Sequence, residues 1–159
     1  MGEKILLAVA LQRYVVIPPP ALAVRDLAVD MAKAQHASLT VLTVHTPLEQ
    51  MPEIESTGAK LNQFVAPLLD MGISVDSTVR EGSPRVLIQE VAREIHAGLI
   101  IMGTHIKRGI LDTPLGGTAQ AVLKEAPCRI LFVVPTVKES EETRRLIIPD
   151  YPYVFPYGL

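Results

Sequence analysis

At 159 residues the chain has the length of one domain with a real core. Apolar residues make up 48% and charged residues 20%, an ordinary globular balance. The net charge of −2 gives no electrostatic reason to expect nucleic-acid or acidic-membrane binding. No apolar run approaches the roughly 20 residues of a membrane-spanning helix, and Cys128 is alone, so an internal disulfide or a cysteine metal cluster is excluded.

Met1-Gly2-Glu3-Lys4 leads straight into a strand-like run, without a charged-then-apolar leader, and a cytoplasmic protein is expected. Five short apolar runs follow: residues 5–10, 39–44, 73–79, 99–102 and 130–134. The third alternates apolar and polar, as a half-covered strand does. Residues 5–10, 99–102 and 130–134 are unbroken, which suits parallel strands covered on both faces. Pro18-Pro19-Pro20, after the first run, predicts a stiff extended stretch.

Helical period fills the gaps. Val24, Leu27, Ala28, Met31 and Ala32 form one stripe; Leu61, Phe64, Val65, Leu68 and Leu69 form a second. Ile88, Val91, Ala92 and Ile95 make a third, and Ala119, Val122, Leu123 and Ala126 a fourth. Pro67 is expected to kink the second helix, and Gly72 to stop it. Ser83-Pro84 reads as an N-cap followed by a first-turn proline.

Strand–helix alternation predicts an α/β fold with an open parallel sheet. Ligands on such sheets bind beyond the carboxyl ends of the strands, where the strand order reverses. The search for function therefore narrows to residues 10–14, 45–47, 103–115 and the segment after Pro135. Residues 1–136 are read as the domain and 137–159 as a charged, then Pro- and aromatic-rich tail. A short helix is expected over 139–145. Tyr151, Tyr153, Phe155 and Tyr157 hold four of the seven aromatic residues and favour docking of the tail over its remaining in water.

The densest chemical signal runs from Gly103 to Thr118. Gly116 and Gly117 stand just before a helix, whose free N–H groups and dipole suit an anion such as phosphate. Thr118 can add a hydroxyl, and Lys107 and Arg108 can add charge. Turn glycines, a helix cap and solvated cations are the alternative. Neither the Walker nor the dinucleotide pattern is present. His45 and His105 end strands and are read as structural. His36 and His96 close helices, where a cation complements the dipole. Cys128 is read as a small buried filler. No Ser-His-Asp set, paired carboxylates or metal-ligand spacing stands out.

At these residues the chain resembles the universal stress protein family, over roughly residues 4–135. The resemblance rests on Lys4 to Val9, Val44-His45, Glu81-Gly82-Ser83-Pro84, His96 to His105, Leu115-Gly116-Gly117-Thr118 and Ala126 to Pro135, in that order. It implies an open five-stranded parallel sheet of order 3-2-1-4-5 with helices on both faces, as in adenine nucleotide alpha hydrolase-like folds, and commonly a homodimer. One branch of the family binds ATP through Gly-x2-Gly-x9-Gly-Ser/Thr. Here Gly103 and Gly116 match the first and third glycines, while Ile106 replaces the second. Gly117 stands at the Ser/Thr position, with Thr118 one step later. Nucleotide-binding members carry an Asp after the first strand, where this chain has Ala10.

If ATP or AMP binds, the resemblance puts the adenine against Val9, Ala10 and Thr46. It puts the phosphates against Gly103, Arg108, Gly109, Gly116, Gly117 and Thr118. No protein-bound metal is expected. Two readings stand side by side. One is a stress-response regulator that binds adenine nucleotide without turning it over. The other is a nucleotide-independent dimeric interaction module with a closed pocket. A slow ATP hydrolase is a third, and it lacks a visible base or nucleophile. The fifth run, Ile130 to Val134, would form a sheet edge. Pairing it with a second copy would cover it, with the tail alongside.

Overall fold

A computed structural model describes residues 2–48, 51–104, 115–149 and 151. Five parallel strands form one sheet of order β3-β2-β1-β4-β5, as the resemblance implied. They are β1 (Lys4–Ala8), β2 (Ser38–His45), β3 (Val75–Glu81), β4 (Leu99–Gly103) and β5 (Arg129–Val133). The helices are α1 (Pro19–Gln35), α2 (Ile54–Val65), α3 (Pro84–Glu94), α4 (Gly117–Lys124) and α5 (Val137–Arg144).

Alternation along β1 sorts the core into two layers. Ile5 and Leu7 face one way, into a cluster with Val24 and Ala28 of α1 and Leu61 and Phe64 of α2. Leu6 and Ala8 face the other way, toward Ile88 and Val91 of α3 and Ala119 and Val122 of α4. Both faces of the central strands are thus buried, which is why Ile5–Ala8 of β1 and Leu99–Met102 of β4 are unbroken apolar runs.

β1 pairs with β2 on one side and β4 on the other, with Ala8 opposite both Leu42 and Met102. The order reverses there, so the carboxyl ends of these three strands flank the crevice where a ligand is expected. β1 stops at Ala8 rather than running to Ala10. The Val9 N–H still donates to Leu42, but the Val9 carbonyl accepts the buried Thr43 hydroxyl (2.7 Å). A side chain thus replaces the next rung, and Ala10 turns out to solvent.

Prolines account for the other boundary shifts. Pro18 is extended, but Pro19 already begins α1, so two of the three prolines sit in a first helical turn, where no N–H is needed. Pro67 ends α2 instead of kinking it. The helix stops at Val65 and a 3-10 turn covers Ala66–Leu68. That tighter winding changes the phase, leaving Leu68 buried and Leu69 64% exposed, outside its expected stripe. Gly72 lies at φ +75° in the turn before β3, not at the end of α2. Ser83 and Pro84 hold the expected positions at the start of α3, although the Ser83 side chain makes no capping bond. α4 ends at Lys124, leaving Ala126 beyond the helix, and Leu123 within it is exposed.

The segment after Pro135 folds back on its own subunit. Thr136 and Glu139 make a reciprocal capping box at the start of α5, which packs against α1. Beyond it, the Val15 N–H donates to Leu146 (2.8 Å) and the Ile148 N–H donates to Arg13 (2.8 Å). Tyr14 and Ile147 thereby face each other in an antiparallel bridge. Of the four tail aromatics, Tyr151 alone is among the described residues, and its N–H donates to Ile148 (3.1 Å).

Candidate functional site

The loop from Val9 to Pro18 crosses the carboxyl end of the sheet, and three sets of bonds fasten it. The first comes from below. Lys60 of α2 is 8% exposed, and its ammonium donates to the carbonyls of Leu11 (3.0 Å), Gln12 (3.1 Å) and Tyr14 (2.7 Å). Burial holds the Lys60 pKa below the ordinary lysine range. The three carbonyls satisfy all three of its donors. The second set is the chain's own tail, through Val15–Leu146 and Ile148–Arg13.

The third set involves Gln12 and Thr46. Gln12 is buried, with 6% exposure. Its Nε2 donates to the Thr46 carbonyl (2.6 Å), and the Thr46 N–H donates to its Oε1 (2.8 Å). Only this orientation of the carboxamide satisfies both partners. The Thr46 hydroxyl donates to the Gly82 carbonyl (3.0 Å). Gly82 adopts φ +145°, a conformation essentially confined to glycine, and a Cβ there would press on Leu87 at 3.1 Å. That requirement explains the glycine in Glu81-Gly82-Ser83-Pro84.

On the other side of β1, Thr104 follows β4, and its hydroxyl accepts from the Gly116 N–H (3.2 Å). Gly116 is buried and forms the N-cap of α4, with φ −64° and ψ 161°. A glycine cap carries no side chain, and no side-chain bond caps this helix. The first-turn N–H groups of α4 thus receive no bond from an N-cap side chain. Gly103 is exposed at the end of β4, where a Cβ would make ordinary contacts with Val133 and Val24, so close packing does not demand glycine there.

The expected site residues thus divide. Val9, Ala10, Thr46, Gly103, Gly116, Gly117 and Thr118 all lie at the carboxyl end of the sheet, on both sides of β1. The ends of β2 and β4 stand two strand spacings apart, roughly 10 Å. Val9 is buried, and its backbone is committed to Leu42 and Thr43. Ala10 is exposed and has no side-chain acceptor to offer. Arg108, Gly109, Lys107, Ile106 and His105 lie outside the described residues.

The sequence assigns no role to Gln12 or Lys60, and Thr104 stands out in it only as part of the Gly103–Thr118 stretch. Lys60 carried a signal: it falls beside Leu61 on the buried face of α2, one turn from Phe64. A cation on an apolar stripe needs partners. His45 is structural, as expected. It is buried, and its Nδ1 shares a hydrogen bond with Thr57 of α2 (2.8 Å). His36 and His96 do close helices, but with φ of 51° and 54° they serve as left-handed backbone stops. Cys128 is only half-buried at the core margin, where burial raises its thiol pKa. Among the described residues no group of three His, Cys, Asp or Glu could hold a metal, and no helix is long and apolar enough to cross a membrane.

Residues 14–134 match the model of the Universal stress protein family. The universal stress protein E homolog of Haemophilus influenzae is 44% identical over 98 residues, 57% of this chain and 32% of that protein. This chain therefore spans about a third of that relative's length. A universal stress protein from Archaeoglobus fulgidus superposes with a TM-score of 0.67 at 18% identity, covering 83% of this chain and 93% of that one. A universal stress protein in complex with cAMP gives 0.64 at 19%, covering 85% and 98%. An Archaeoglobus fulgidus universal stress protein in complex with dAMP gives 0.60 at 20%, covering 82% and 96%. At these identities the superpositions speak to the fold. The family match spans most of the sheet and both helical layers, and the chain belongs to the universal stress protein family.

Proposed function

We propose that this protein is a stress-response regulator that binds an adenine nucleotide at the carboxyl end of β1 and acts by binding rather than turnover. The observation that carries the reading is the glycine N-cap of α4, held by Thr104, with the Thr46 backbone on the far side of β1. A helix start without a side-chain cap favours an anion. The N–H and carbonyl of Thr46 form a donor–acceptor pair that the edge of adenine can match. The family relatives in complex with cAMP and dAMP support the same ligand class. AMP and ATP are the forms proposed for this chain, with Gly116, Gly117 and Thr118 at the phosphates and Val9, Ala10 and Thr46 at the base. The protein is further proposed to be a cytoplasmic homodimer joined through the β5 edge.

Calorimetric titration with AMP and ATP tests the reading. Saturable heat with a rise in melting temperature is the expected result. Neither heat nor a thermal shift at millimolar nucleotide would overturn it. The second reading, an interaction module with a closed pocket, is favoured by Gln12, which already occupies the Thr46 edge. Steady release of phosphate from ATP would instead make the protein an enzyme.

A further inference from the structure

We propose that Gln12 is a built-in stand-in for the base: its carboxamide holds the Thr46 edge closed, and a nucleotide enters by displacing it. This inference rests on the nucleotide reading above. A carboxamide and the edge of adenine share one pattern, an N–H donor beside an acceptor. Gln12 presents that pattern to both backbone groups of Thr46, at 2.6 and 2.8 Å, with the side chain buried. A residue filling space alone would not need both bonds.

The contact is also held in place. Lys60 grips the carbonyls of Leu11, Gln12 and Tyr14, so the backbone carrying Gln12 is fixed from below. The tail fixes Arg13 and Val15 immediately after it. Opening of the edge is therefore assigned to the Gln12 side chain, with the loop backbone kept in place. When the latched form dominates, the apparent affinity for a base is reduced by the fraction of molecules that are open. Gln12 sets that fraction, and so sets the nucleotide concentration to which the protein responds.

Titration of wild type and Gln12→Ala with AMP and ATP tests the proposal. The variant should bind at least tenfold more tightly. Equal or weaker binding by Gln12→Ala, with wild type still binding, overturns the latch and leaves the nucleotide reading standing. If neither protein binds, the nucleotide reading fails and the latch fails with it. A second measurement uses wild type alone, in case Gln12→Ala does not fold. Saturating AMP should shift the Gln12 side-chain amide resonances and speed their exchange with solvent, while the Thr46 N–H stays protected. Gln12 amide resonances unchanged in the bound protein would overturn the proposal.

Discussion

His36 and His96 hold a conformation that a side chain resists. At φ of 51° and 54° the Cβ crowds the following carbonyl. Both accept it because the turn satisfies carbonyls at a helix end. The His36 N–H donates to Lys33 and the Ala37 N–H to Ala32 after α1; His96 donates to Arg93 and Ala97 to Ala92 after α3. Both side chains are exposed, so little packing is lost on removing them. His36→Gly and His96→Gly should each raise stability by up to about 1 kcal/mol, because glycine enters the left-handed region without the Cβ penalty. Chemical denaturation checks this. A fall in stability would show that the imidazoles contribute more than the backbone strain they carry. The sequence places these histidines at helix ends and suggests the dipole as their purpose. It does not disclose the backbone angle that makes them stops.

At the scale of elements, the polar tie between α2 and the β1–α1 loop is the Lys60 ammonium. Lys60 reaches three carbonyls from 46 to 49 residues away along the chain. Lys60→Met keeps most of the apolar stem and removes every donor. It strands buried carbonyls and should cost about 3 kcal/mol in a denaturant titration. The loop amides of residues 11–15 should also exchange faster with solvent. A change below about 0.5 kcal/mol would mean the loop is held by the tail and Gln12 alone. The same distance explains what sequence reading reaches and what it misses. Strands and helices are written in local periods, so the strand–helix order and the apolar stripes are legible. Gly116 beside Thr118 is legible as a helix start. Gln12 and Thr46 lie 34 residues apart, and nothing local marks them as partners. Where one residue replaces the regular pattern, the boundary moves: Thr43 ends the ladder early, and Pro67 ends α2.

For the whole molecule the question is what the tail and the β5 edge each do. Ile130 to Val133 are only half-buried, although they form an apolar strand. An edge in that state is prone to pairing, and the proposed homodimer would cover it. The tail behaves differently: α5 lies on α1, and Leu146 to Ile148 pair with Arg13 to Val15 of the same chain. The proposed dimer and the described part of the tail therefore use different surfaces of the chain. Deleting residues 137–159 removes the α5 packing and two long-range backbone bonds within the chain, a loss of about 2–3 kcal/mol, and should lower the melting midpoint by roughly 5–10 °C. The truncated protein should still sediment as a dimer. A monomer would show that the tail bridges subunits, and an unchanged midpoint would show that its docking contributes nothing. The docked tail carries a pH signature as well. Burial raises the pKa of Tyr14 and Tyr151 above the usual phenol value of about 10. Well below pH 10 both are neutral in folded and unfolded chains, so their contribution to stability is undiminished there. Above it the unfolded chain loses the protons first, and stability falls as pH rises. Tyr14→Phe should flatten that alkaline fall in the full-length protein. An equally steep fall in the variant would locate the sensitivity elsewhere than at the junction of tail and loop.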